Sequence, residues 1–143
     1  MGFWSAILDG IAAKKKDPPV FVRTLGLPGI KRWEPGRTWG EWTVNRNVFH
    51  EQGAVFGGYL AALADQSLAL VAMTLLEDNE AISTSDLRVS YFRPVTGGVL
   101  QLEAQVIHRG RRQMQVEVEF RREDGKLAAK ATATQVIIPF GGE

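Results

Sequence analysis

The sequence predicts an α+β domain in which one long helix, apolar all round, is wrapped by a curved antiparallel sheet of about five strands. Three observations carry that expectation. The run from Tyr59 to Leu76 is apolar apart from Asp65-Gln66-Ser67 at its middle and Thr74 near its end. Behind it stand four segments in which apolar and polar residues alternate with period two, joined by short turn signals. Short turns force antiparallel neighbours, and a helix apolar on every face needs cover on every face. A single flat layer covers one side only, so the sheet has to curl, and a second copy of the chain is expected to seal the open side.

Taken in order, Phe3, Trp4, Ile7, Leu8 and Ile11 recur at helical spacing and predict a short amphipathic helix over 3–13. Lys14-Lys15-Lys16 follows, and Asp17-Pro18-Pro19 stops the helix because proline lacks the amide that would continue it. Pro28-Gly29 and Pro35-Gly36 mark turns within 20–37. Residues 1–35 therefore read as an N-terminal extension whose helix covers an edge of the main domain, 36–143, rather than lying on a membrane surface. Arg37–Val44 is rich in aromatic and β-branched residues and reads as a strand. Asn45–Val55 is a polar loop ending in Phe56-Gly57-Gly58, and the long helix runs from about Gly57 to about Glu77, closed by Asp78-Asn79.

The four strands after the helix are Ser83–Arg93, Val99–Arg109, Arg112–Arg122 and Leu127–Ile138. In the first, Leu87, Val89 and Tyr91 share a face; in the second, Leu100, Leu102, Ala104 and Val106, with His108 on the same face. In the third, Met114, Val116, Val118 and Phe120 alternate with Gln and Glu. Pro94–Gly98, Gly110 and Asp124-Gly125 supply the turns, the last a strong two-residue hairpin signal.

Composition narrows the function. Seventeen Lys+Arg against sixteen Asp+Glu leave a net charge of +1, too little for a protein that binds nucleic acid by neutralising phosphates. The absence of cysteine removes disulfides, thiolate metal sites and a cysteine nucleophile, and it fits a reducing cytoplasm. His50 and His108 are the only histidines, so no metal-ligand cluster and no cofactor are implied. The N-terminus lacks the basic start of a secretory signal, and Asp65 interrupts the one run long enough to suggest a membrane span.

The run Gly53-Ala54-Val55-Phe56-Gly57-Gly58, followed by Asp65, resembles the signature of hotdog acyl-CoA thioesterases of the phenylacetate-degradation and 4-hydroxybenzoyl-CoA thioesterase type. That signature is Gly, two residues, His-Gly-Gly, six residues, then Asp or Glu. Thr84 to Arg93-Pro94 is similar to the family's next strand, and the likeness continues through His108–Arg112 and Asp124-Gly125-Lys126. It covers about 37–138 in unbroken order. Two positions depart: Phe56 stands where the signature has His, and His50 stands where an Asn is usual. The resemblance implies a hotdog fold, thioesterase activity on an acyl-CoA, and a dimer or homotetramer. It also implies Asp65 as catalytic carboxylate, with Gly57 as the carbonyl-polarising amide contributed by a facing subunit.

The residues themselves allow that chemistry. Thioester hydrolysis needs an oxyanion stabiliser and a nucleophile or a base for water. Glycines at a helix start let a backbone amide approach a carbonyl, and the helix end adds partial positive charge; equally, Gly57-Gly58 serves a tight entry into the helix. Asp65 has Ala61, Ala62, Leu68 and Ala69 as its helical neighbours, so no local cation pairs with it. A carboxylate in an apolar helix is either functional or sits at a solvent rim. Thr84 matches a hydroxyl position of the family, where strand packing also favours threonine. Gln66 and Ser67 read as polar helix positions turned toward an interface. Arg109, Arg111 and Arg112 around Gly110 suit the phosphates of coenzyme A, or form a solvated hairpin face. His50, Phe56 and Gly58 are the remaining substrate-side candidates. Phe56, Tyr59, Trp33, Trp39 and Trp42 suggest an apolar or aromatic acyl group. Two alternatives stay open: a hotdog hydratase or dehydratase, and a hotdog protein that binds acyl-CoA without cleaving it.

Overall fold

The computed structural model describes residues 2–15 and 17–141. Met1, Lys16, Gly142 and Glu143, which include the outer ends of both expected segments, lie outside the described residues. Helix α1 spans Phe3–Ala13, as its periodicity predicts, and ends at Lys14 in the left-handed conformation (φ 55°). Its apolar face buries Leu8 against Ile30 and against Leu70 of the long helix. Two indoles fasten it: Trp4 Nε1 donates to the Glu80 carbonyl (2.8 Å) and Trp33 Nε1 to Asp9 (2.9 Å).

The segment expected to hold only turns contains two short elements. Helix α2 spans Val20–Leu25, started by Pro19 and ended by Gly26 at φ 64°. Strand β1, Arg32–Glu34, forms a hairpin with β2, Arg37–Thr43, across the Pro35-Gly36 turn. Neither is long enough to show a period, so both escape pattern reading. Strand β2 turns Thr38, Gly40 and Trp42 inward. Gly40 has no room for a side chain, since a Cβ there would stand 2.8 Å from the Gly29 carbonyl oxygen.

Helix α3 runs Gly57–Met73 and stops about a turn earlier than expected. Thr74 ends it: its hydroxyl donates to the Val71 carbonyl (2.6 Å) and accepts from the Gly36 amide (2.8 Å). Strand β3, Glu80–Tyr91, starts three residues earlier than the expected Ser83; β4 is Val99–Arg109, β5 Gln113–Arg121 and β6 Leu127–Pro139. The strands form one antiparallel sheet of six in the order β1-β2-β4-β5-β6-β3, so the count is one above the expected five because of β1.

Curvature and cover follow from the inward residues. Leu63, Ala64, Leu68 and Val71 of α3 pack into one core with Leu100, Leu102 and Ala104 of β4, Met114, Val116, Val118 and Phe120 of β5, and Ala129, Ala131 and Ala133 of β6. The inward face of β6 contributes small alanines to this core, while that of β5 contributes the bulkier Met114 and Phe120. This is the hotdog architecture. Among the described residues no helix is long and apolar enough to cross a membrane.

Besides a register shift between Phe120 and Arg121 at the end of β5, two bulges interrupt the ladders. One falls between Val106 and His108 and turns Ile107 and His108 to solvent, so His108 does not share Val106's inward face as its spacing suggested. The other falls between Thr84 and Asp86, on β3. There the Asp86 carboxylate takes up the Thr134 amide (3.1 Å). Bulges re-aim side chains, and this one lies beside Asp65.

Candidate active site

The N-terminus of α3 is open. Phe56 is its N-cap in extended conformation, with no side-chain cap. Neither the Gly57 nor the Gly58 amide donates a hydrogen bond among the described residues, as expected for the first turn of a helix. Two aromatic rings close over these glycines. The Tyr91 hydroxyl donates to the Gly57 carbonyl (2.6 Å), and a Cβ on Gly57 would stand 3.1 Å from that ring. The Phe56 ring folds over Gly58, where a Cβ would come within 2.6 Å of it. A side chain at either position would have to displace an aromatic ring. Burial of the Tyr91 phenol raises its pKa, so it stays a donor well above neutral pH.

A cleft of about 330 Å³ opens here, lined among others by His50, Gly57, Leu60, Tyr91, Phe92 and Arg93. His50 is shaped by a tight turn: its Nδ1 accepts from the Gln52 amide (3.1 Å) and its own amide donates to the Ala54 carbonyl (2.9 Å). With Nδ1 accepting, a neutral ring carries its proton on Nε2. His50, Phe56, Gly57 and Gly58 thus gather at one end of the helix.

Asp65 and Gly58 are exposed on one face of α3, beside the half-buried Ala61, Ala62 and Ala69. The Thr84 hydroxyl stands 3.3 Å from Asp65 Oδ1 and 3.1 Å from Gln135 Oε1. Thr84 and Gln135 are cross-strand partners, and Gln135 is fully buried. Sequence reading missed Gln135. Its signal was one amide on the inward face of β6, in register with Ala129, Ala131 and Ala133. No ion pair reaches Asp65 among the described residues: Glu80 is held by Arg109, Lys130 by Glu117, and Asp86 by the Thr134 amide.

Gln66 and Ser67 do not face outward as expected. Gln66 accepts from the Gly29 amide (3.0 Å) and ties down the N-terminal segment, while Ser67 is buried. The arginine hairpin lies at the other end of α3 from Gly57. Arg109 spends its guanidinium on the Leu75 carbonyl (3.1 Å) and on Glu80 (2.9 Å), which holds the Glu80 carboxyl below the usual range. Arg111 and Arg112 are exposed, with no side-chain partner among the described residues.

Known proteins share this fold. The family model described as thioesterase superfamily matches residues 52–129, from the loop before α3 into β6. Proofreading thioesterase EntH of Klebsiella pneumoniae is 26% identical over 123 residues, 86% of this chain and 89% of that one. A phenylacetic acid degradation-related protein of Ralstonia eutropha superposes with TM-score 0.79 at 30% identity, covering 90% of this chain and 98% of that one. A Streptococcus mutans protein solved with acetyl CoA bound has the same fold, with TM-score 0.72 at 23% identity over 79% of this chain and 90% of that one. With the family model matching more than half of its length and solved members superposing along nearly all of it, the chain belongs to the thioesterase superfamily.

Proposed function

We propose that this protein is an acyl-CoA thioesterase acting on an apolar or aromatic acyl group, with Asp65 as nucleophile or general base and the Gly57 amide polarising the thioester carbonyl. One observation carries the reading: an exposed carboxylate on an otherwise apolar helix, met by the Thr84 hydroxyl, in a chain whose Gly57 amide is unused. From Gly57 to Asp65 the helix rises about 12 Å. An attacking group and an oxyanion donor must both stand about 3 Å from one carbonyl. A single chain cannot bring them together, so two copies form each site. Among the described residues the long β3 edge has no partner strand on its outer side, and the small residues around Asp65 leave room for a second copy.

In this reading the carboxylate, or water activated by it, adds to the carbonyl carbon. The oxyanion is held by the amide at the positive end of α3, and the C–S bond breaks to release coenzyme A. Phosphates of coenzyme A meet Arg111 and Arg112, whose heads are free, while Arg109 supports the helix end. The same fold holds acetyl CoA in the Streptococcus mutans protein. A second reading is binding without hydrolysis. It is favoured by the Phe56 ring, which lies over Gly58 where the signature places a histidine.

Incubation with a panel of acyl-CoAs and a thiol trap tests both. Release of free coenzyme A is expected, and Asp65→Asn lowers it by roughly two orders of magnitude or more, the scale for losing a general base, while a non-hydrolysable analogue still binds. Near-normal turnover in Asp65→Asn would remove the carboxylate from the mechanism. Binding by the unaltered protein with no coenzyme A released would favour the second reading.

A further inference from the structure

The structure leaves one polar atom unexplained. Gln135 is fully buried, and its Nε2 has no hydrogen-bond partner among the described residues. Buried side-chain amides are nearly always paired, so an orphan at a candidate site calls for a physical account. Its other end stands 3.1 Å from Thr84 Oγ1, which stands 3.3 Å from Asp65 Oδ1. The hydroxyl has one proton and faces two acceptors. It cannot donate to the Asp65 carboxylate and to Gln135 Oε1 at once.

Turning the amide by half a revolution removes the conflict. The two ends of a glutamine amide differ little in shape, and their assignment follows from the hydrogen-bond network. With Nε2 toward Thr84, the amide donates to the lone pair of Oγ1, and the single hydroxyl proton is left for Asp65. The buried atom without a partner is then a carbonyl oxygen, which proteins tolerate somewhat better than a stranded N–H.

We infer that Gln135 is a positioning residue, whose amide orients the Thr84 hydroxyl so that its proton faces the Asp65 carboxylate. The chain of donors is Gln135 to Thr84 to Asp65. It rests on the reading of Asp65 as the working carboxylate, but makes a claim of its own about the resting protein. The bulge after Thr84 is the local device that lets it reach both α3 and β6: Thr84 pairs with Gln135, and the next residue in register is Asp86. Gln135 thereby sets the direction of the side-chain hydrogen bond that Asp65 receives, without touching the carboxylate itself.

The test is a double-mutant cycle with two readouts. Gln135→Met keeps the length and burial of the side chain and removes the amide; Thr84→Val removes the hydroxyl. Carboxyl-carbon NMR of Asp65 in the unliganded protein is the first readout. The Asp65 carboxyl-carbon chemical shift at neutral pH is expected to move in both variants and no further in the double variant. The second readout is turnover, where Gln135→Met lowers kcat about tenfold with KM unchanged, and Gln135→Glu does not rescue it. A Gln135→Met whose Asp65 carboxyl signal matches the parent's, with its melting temperature showing it folded, overturns the inference. So does a loss that adds in full to that of Thr84→Val. Should Gln135→Met fail to fold, Gln135→Asn gives the same comparison with a shortened amide. NMR shifts without any turnover would keep the relay and sink the thioesterase reading. Turnover without the shifts would do the reverse.

Discussion

Tyr59 and Tyr91 are the chain's two tyrosines, and both hold their phenols with backbone acceptors near the start of α3. The Tyr59 hydroxyl donates to the Leu25 carbonyl (2.6 Å), fastening α2 to the long helix, and that of Tyr91 donates to the Gly57 carbonyl. Burial raises both pKa values above the ordinary value of about 10. Above that pH the unfolded chain releases protons that the folded chain keeps. Stability is therefore intact below about pH 10 and falls as pH rises from there through the folded values. Phenolate absorbance should appear later in the folded protein than in denaturant, and Tyr59→Phe should flatten part of the alkaline loss in denaturant melts. Coincident phenol titrations with and without denaturant would show that neither hydroxyl is held. Gln135 belongs to this scale too, as a residue whose role shows only through its neighbours.

At the scale of elements, the hairpin between β4 and β5 separates three arginines that look alike in sequence. Arg109 is half-buried against Glu80 and the Leu75 carbonyl, so it closes the end of α3 over the start of β3. Arg109→Gln should cost roughly 1–2 kcal/mol, because it leaves a carboxylate and a carbonyl short of a donor, and should leave KM for acyl-CoA unchanged. Arg111→Gln with Arg112→Gln should do the opposite, raising KM without lowering the melting temperature, with the loss shrinking as salt rises. A KM effect confined to Arg109 would invert this assignment. The short elements α2 and β1 teach a related lesson. Their six and three residues carry no usable period, and it is Gly26 and the Pro35-Gly36 turn, together with pairing to β2, that make them ordered.

At the scale of the whole molecule, the sheet ends in β3, a twelve-residue strand with one side unpaired. Next to it α3 shows Asp65 among glycine and alanines. An edge of that length invites pairing with another chain, and under the proposed mechanism the distance along α3 calls for a second copy to complete each site. Sedimentation should find a dimer or tetramer at micromolar concentration. Ala62→Glu, which puts a charge among those small residues, should shift the protein toward monomer and lower turnover together with it. A stable, fully active monomer would show that each site is built within one chain.

What the sequence determined by itself is the frame: a long apolar helix between one strand and four alternating ones, and the spacing from Gly57-Gly58 to Asp65. Periodicity records burial directly, so inward residues such as Leu102, Val118 and Phe120 were legible before any coordinates. The tertiary structure decided what depends on contact. Sheet order brings Thr84 on β3 beside Gln135 on β6, fifty-one residues apart in the chain, and a bulge turns the hydroxyl toward Asp65. Another bulge sends His108 to solvent against its alternation. Arg109, identical in kind to its neighbours, is taken by Glu80 because the hairpin folds onto the end of the helix. Local pattern reports which side of an element is buried; which groups meet across elements is set by register and by the curl of the sheet, and those are properties of the folded chain as a whole.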